Sequence, residues 1–232
     1  MSDARTNEKR WFEFLSLSLL LGLGTAIAAL IFFGWLADEV LEGDAKHFDG
    51  VTRAAIHQLA SPTLTIIMRG FSFAGSTIAL TIGTIIVVVR FAMKNLGREA
   101  KLFAITMIGA ALMNITLKLT FKRARPEPFF NLSLPETYSF PSGHSLTSAV
   151  FFGALAAILT ARIKSKRTRT AIWIVSTLMF LTIGFSRIYL GVHHTTDVIA
   201  GFAAALIWIL VVRFVEIQLR RRKTRKTGTG IT

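Results

Sequence analysis

Apolar residues in this chain are gathered into blocks of roughly 18 to 24 residues rather than spread at the period of a strand or an amphipathic helix. That is the length needed to cross about 30 Å of hydrocarbon at about 1.5 Å per residue. Such blocks run from about Phe14 to Ala37, Leu102 to Leu119, Ser145 to Ile163, Ala171 to Leu190 and Thr196 to Val215, and a longer one from about Leu64 to Phe91 has its most apolar part at Ile78 to Val89. In lipid only a helix or a closed barrel satisfies every backbone group, and blocks of this length specify helices. The pattern predicts an all-α fold, a six-helix transmembrane bundle. The first block follows Arg5, Lys9 and Arg10 as a signal peptide would, but it is long for one, and Trp35 spoils the small-residue cleavage pattern. It reads as a retained span. The composition agrees with a membrane protein, since 17% of residues are charged where a soluble domain has about a quarter.

Between the blocks lie two long polar segments. Residues 38–62 hold Asp38, Glu39, Glu42, Asp44 and Asp49, and within them Phe48, Val51, Ala55 and Leu59 recur at helical spacing, which predicts a short interfacial helix. Residues 120–141 hold four of the five prolines, with room for a second short outer helix over 126–137. Neither repeats nor a composition break divides the chain, so residues 1–232 read as a single domain. Its last residues, 217–232, form a basic tail with a disordered end. Gly22, Gly24, Gly75 and Gly83 are expected to serve close helix packing.

The net charge of +14 raises nucleic acid as a partner, but the basic residues sit at the ends of the apolar blocks, where topogenic charge belongs. The N-terminus, the 90–101 and 162–169 loops and the tail from Arg213 hold 19 of the 27 Lys and Arg residues. The positive-inside rule then puts both termini in the cytoplasm and the 38–62, 120–141 and 187–195 segments outside. The implied partner is the bilayer, with no nucleic acid. Absence of cysteine removes thiolate nucleophiles, disulfides and cysteine-ligated metals.

The residues that are costly near a bilayer converge on the outer side from three junctions. Lys118, Lys122, Arg123 and Arg125 follow the third span, His144 opens the fourth, and Arg187, His193 and Asp197 bracket the fifth and sixth. A snorkelling side chain explains any one of them alone; it explains their convergence poorly. Lys118, Arg125 and Arg187 provide cations for a phosphate, and the turn at Ser142 and Gly143 before a helix start offers free amides to an anion. His193 and Asp197, four residues apart at a helix start, share a face, so Asp197 can fix one imidazole nitrogen and leave the other as a nucleophile. With one acid among many cations, the set does not suit a metal, and no cofactor is expected.

Three motifs are filled in order. Lys118-(x6)-Arg125-Pro126 is followed by Pro141-Ser142-Gly143-His144 and by Ser186-Arg187-(x5)-His193-(x3)-Asp197. On these residues the chain resembles the type 2 phosphatidic acid phosphatase superfamily, across 118–197. The resemblance implies a metal-independent lipid phosphate or diphosphate phosphatase of a bacterial inner membrane. In it His193 would form a phosphohistidine, and His144 would protonate the leaving oxygen and then activate water. Asp197 would orient His193, and Lys118, Arg125, Ser142, Gly143 and Arg187 would bind the phosphate. Undecaprenyl diphosphate is the substrate placed first, with phosphatidylglycerophosphate and phosphatidic acid close behind. The alternatives are a lipid A or sugar-phosphate phosphatase, a phosphotransferase, and a non-catalytic lipid-phosphate binder or transporter. Roles for Arg69 and His194 stay open; His194 would point about 100° from its neighbour on a helix and reads as interfacial.

Overall fold

The computed structural model describes the backbone of residues 2–133 and 136–228 and the side chains of 21–133 and 136–219; within these, every regular element is a helix. In chain order they are α1 (Ser2–Glu42), α2 (Ala45–His57), α3 (Pro62–Ala74), α4 (Thr77–Met93), α5 (Gly97–Phe121), α6 (Gly143–Thr160), α7 (Lys166–Tyr189) and α8 (Thr195–Gly228). Five contain stretches long and apolar enough to span a bilayer: Leu21–Glu42, Gly97–Phe121, Gly143–Thr160, Lys166–Tyr189 and Thr195–Leu219. The sixth is α3 and α4 taken together, bent by 52° at their junction. The chain is an integral membrane protein with the expected six-span bundle, and its second span is broken. Ile31, Ile66, Ile78 and Met93 each expose 67% or more of their surface, a cost in water that vanishes against lipid tails.

At the centre stands α6, packed against α5, α7 and α8, while α1 lies along α8. Small residues set these approaches. A Cβ at Gly201 would fall 2.7 Å from the Ser142 carbonyl, and one at Gly184 would fall 2.4 Å from Phe202 Cζ. Alternation of the spans brings the end of α5, the start of α6, the end of α7 and the start of α8 to one end of the bundle. That end is where the three motifs meet.

The break in the second span falls at Gly75–Ser76. Ser76 starts a new helix by accepting a hydrogen bond from the Ala79 amide at 3.2 Å, which competes with continuation of the first. Gly75 is needed there because a Cβ would lie 2.3 Å from Ile183 Cγ2 and 3.3 Å from His144 Cδ2. Of the other glycines expected to pack, Gly83 has room for no more than itself, since a Cβ there would lie 3.1 Å from Phe151 Cζ, whereas a Cβ at Gly22 or Gly24 would have nothing within 4 Å.

Helix α2 is the predicted interfacial helix, and its orientation follows from having lipid nearby. Phe48, Val51, Ala55 and Leu59 point outward, while Ala45 and Asp49 are buried in the bundle. The second outer helix, over 126–137, is absent among the described residues; Leu134 and Pro135 lie outside them. Pro126 and Pro128 have no N–H to give a helix, and Phe130 and Asn131 take left-handed conformations at φ 61° and 51°. The segment is tied down instead by the Phe129 amide on the Leu190 carbonyl (3.1 Å) and the Ser139 amide on the Arg123 carbonyl (2.8 Å). At the C-terminus α8 continues through the basic stretch to Gly228, where an unstructured tail was expected; residues 229–232 lie outside the described range.

A Gly75→Val substitution forces Ile183 and the α3–α7 contact apart and should cost about 1–3 kcal/mol. Thermal unfolding in detergent should therefore move to lower temperature, whereas Gly22→Ala should leave it unchanged or slightly raised.

Candidate active site

His193 sits on the turn before α8, 1% exposed, and Asp197 on the first turn of that helix, fully buried. Their spacing of four residues brings Nδ1 within 3.2 Å of Asp197 Oδ2, as expected. The opposite nitrogen, Nε2, is 3.1 Å from Arg125 Nη1. A guanidinium can only donate, so Nε2 must present its lone pair and Nδ1 must carry the proton toward Asp197. Burial drives the His193 pKa down to about 3, against the pull of Asp197 and with help from the positive charge of Arg125 and Arg187. The imidazole is neutral at neutral pH, with its Nε2 lone pair held by the Arg125 guanidinium.

Asp197 is saturated with donors. Oδ2 accepts from the Ser139 hydroxyl and from the His194 amide at 2.9 Å in addition to His193, and Oδ1 accepts from Arg123 Nη1 at 2.6 Å. Arg123 is itself held on its other side by Asp49 of α2, Nη2 to Oδ2 at 2.7 Å. Asp49 accepts from the Thr196 amide at 2.9 Å and the Thr196 hydroxyl at 2.7 Å, so a carboxylate from one helix caps the start of another. Sequence reasoning did not single out Asp49, Ser139 or Thr196, and gave Arg123 no partner. His194, left open, has Nδ1 3.9 Å from Asp49 Oδ2, and burial lowers its pKa.

The three expected cations reach the same place. Lys118 donates to the Tyr138 carbonyl and lies within electrostatic reach of Arg125, Arg187 and Asp197. Arg125 is fixed by the Thr137 carbonyl (2.7 Å) and the Val192 carbonyl (3.0 Å). Arg187 is 8% exposed, donates to the Ser72 hydroxyl of α3, and keeps its Nε–H without a partner among the described residues. His144 lies within reach of Arg187, His193, Arg125 and Lys118. Ser142 is buried as the N-cap of α6, accepting from Ser145 N at 3.4 Å and Ser145 Oγ at 3.0 Å, and its own amide goes to the Asp197 carbonyl at 2.9 Å. The open amides at that helix start belong to the residues after it, beginning with Gly143. Among the described residues no three His, Cys, Asp or Glu side chains gather in one metal-binding group.

A cavity of about 340 Å³ opens onto His144 and Arg187, lined also by Arg69, Ser72, Ser76 and Val192. His193 is buried and does not line it; Arg125 covers its Nε2. Phe129 and Phe130 are not at its mouth. Phe129 stacks on His57 at 3.9 Å with the Arg53 guanidinium over its ring at 4.9 Å, and Phe130 stacks on Tyr189 at 5.6 Å, so both clamp the 122–142 loop.

The profile of the PAP2 superfamily matches residues 99–220, more than half of the chain and all three motifs. The chain belongs to the PAP2 superfamily. Among PAP2 relatives, phosphatidylglycerophosphatase B of Bacillus subtilis is 26% identical over 196 residues, 84% of this chain and 96% of that one. An undecaprenyl-diphosphatase of Sulfolobus acidocaldarius is 30% identical over 122 residues, 50% of this chain and 52% of its own length. The crystal structure of the B. subtilis transmembrane PAP2-type phosphatidylglycerolphosphate phosphatase superposes with a TM-score of 0.77 at 26% identity, covering 84% of this chain and 96% of that one. The likeness therefore extends beyond the residues of the PAP2 match.

Breaking the Asp49–Arg123 pair leaves a buried charge with half its compensation. Asp49→Ala should cost about 3–5 kcal/mol, read as a loss of thermal stability in detergent, and should do so although position 49 lies outside every PAP2 motif.

Proposed function

We propose that this PAP2 membrane phosphatase hydrolyses a lipid phosphate or diphosphate through a phosphohistidine on His193. The observation that carries the reading is the pair of contacts on that ring: Asp197 on Nδ1 and a guanidinium, not a carboxylate, on Nε2. An anionic phosphate arriving between Arg125 and Nε2 takes over the Arg125 donors and meets the lone pair. The Nε2 lone pair attacks phosphorus, and Asp197 stabilises the imidazolium as it forms, without itself taking the proton. Lys118, Arg125, Arg187 and the amides from Gly143 onward hold the equatorial oxygens, where charge is greatest in the transition state. His144 gives its proton to the leaving oxygen, then takes one from the water that cleaves the phosphohistidine. Ser142 acts on the phosphate by shaping the helix start and through its own free O–H.

The curated relatives named above act on phosphatidylglycerophosphate and undecaprenyl diphosphate. Those two lipids, ranked by sequence with undecaprenyl diphosphate first, stand as substrates here, with phosphatidic acid beside them. The site opens at one end of the spans, and an acyl or prenyl chain can stay among the lipids while the headgroup enters. The basic residues at the opposite end support cytoplasmic termini and a site on the outer face of a bacterial inner membrane.

Phosphate release by purified protein in detergent with EDTA should proceed on at least one of these lipids. His193→Ala should abolish the release, and Asp197→Asn should reduce it by about 10²–10⁴-fold. Release that stops with EDTA, or survives in His193→Ala, refutes the mechanism. Topology is separately testable because the chain has no cysteine of its own. A single cysteine at Glu136 should react with an impermeant maleimide on intact cells, and one at Lys164 only after lysis; the reverse pattern inverts the orientation.

A further inference from the structure

The cavity that reaches His144 and Arg187 has one wall that no motif supplies. Arg69, Ser72, Phe73 and Ser76 line it, at intervals of three, four and seven residues from Arg69, which is one face of α3 carried into the break. That face is fixed in place at two points. Arg187 donates to Ser72, and Gly75 brings the backbone so close that a Cβ would be 3.3 Å from the His144 ring. Arg69 stands one turn away from these contacts, exposed, with no hydrogen bond or ion pair to its guanidinium among the described residues. It is a cation on the wall of the cavity that His144 and Arg187 also line, and it is open to an anion entering there.

Displacement at phosphorus places the attacking and leaving oxygens roughly in line, on opposite sides. On the mechanism proposed above, His193 attacks from behind Arg125, and His144 serves the leaving oxygen. Whatever is attached to that oxygen therefore extends toward the wall that packs on His144, which is the α3 face. A space of about 340 Å³ equals the share of roughly ten waters, more than the five heavy atoms of one phosphate fill.

We propose that Arg69 binds a second phosphate carried by the leaving group and so determines specificity. The shared chemistry is an anionic phosphate a few bonds beyond the scissile one, met either as the inner phosphate of a diphosphate or as the phosphodiester of a phosphatidylglycerophosphate headgroup. A phosphatidic acid leaves as neutral diacylglycerol and offers Arg69 nothing. In the diphosphate the leaving phosphate gains charge as the anhydride bond breaks, so the contact strengthens in the transition state and acts on kcat as well as KM. The Arg69 fork suits two phosphate oxygens, which a lysine meets only as a point charge.

This proposal rests on the phosphohistidine reading, and the experiment separates the two. Wild type, Arg69→Ala and Arg69→Lys are assayed in mixed micelles on undecaprenyl diphosphate, phosphatidylglycerophosphate and phosphatidic acid. Arg69→Ala should lose about ten- to hundredfold in kcat/KM on the substrates with an anionic leaving group. Phosphatidic acid hydrolysis should stay within about twofold, which also reports correct folding, and Arg69→Lys should recover part of the loss. Loss on one anionic substrate alone supports the proposal and names the source of the second phosphate. Equal loss on all three, no loss on any, or a wild type active on phosphatidic acid only overturns it while leaving His193 chemistry standing. A wild type inactive on every lipid removes the parent reading instead.

Discussion

Arg123 lies between two carboxylates, Asp49 and Asp197, at 2.7 and 2.6 Å, and the order of the site depends on that arrangement. Three charges brought to the edge of a bilayer lose several kcal/mol of hydration each, and attraction alone repays this poorly. What completes the compensation is the set of donors aimed at the leftover lone pairs: the Thr196 amide and hydroxyl on Asp49, the Ser139 hydroxyl and His194 amide on Asp197. The donors come from two stretches of chain, at 139 and at 194–196, and Asp49 from a third. The outer helix α2, the proline-rich segment and the start of α8 are therefore held in one register by a charge that cannot be left half paired. His193 inherits its position from that register.

Much of this was legible in the sequence, and the parts that were not share a physical cause. The spans announced themselves because hydrocarbon demands length and apolarity in consecutive residues. The motif residues announced themselves because charge is expensive at membrane depth. Asp49 was hidden among five acids of residues 38–62, where a carboxylate costs nothing in water, and only the fold shows that this one is buried. The stripe of Phe48, Val51, Ala55 and Leu59 predicted α2 correctly, yet in a protein bordered by lipid the apolar face turns outward and the polar face carries the inward contacts.

The break in the second span was invisible for a different reason. Gly75 and Ser76 interrupt an apolar block without lowering its hydropathy enough to divide it, so 64–91 reads as one span. What requires the break is tertiary: the space left by Ile183 and His144, and a serine that offers the next amide a cap. The proline-rich segment shows the converse. Its sequence allowed a helix, but Pro126 and Pro128 withhold two donors, and the Phe129 and Ser139 amides go to the Leu190 and Arg123 carbonyls. Local preference lost there to contacts between distant residues.

All of the site's cations and both of its histidines stand at one end of the bundle, and at the other end Arg98 and Arg162 are neutralised by Glu216 and Glu99. A buried, close-packed α6 stands between the two ends. A lipid phosphatase whose motif residues all lie at one end of its spans meets the headgroups of one leaflet, so a lipid in the opposite leaflet reaches them only after it has crossed the bilayer.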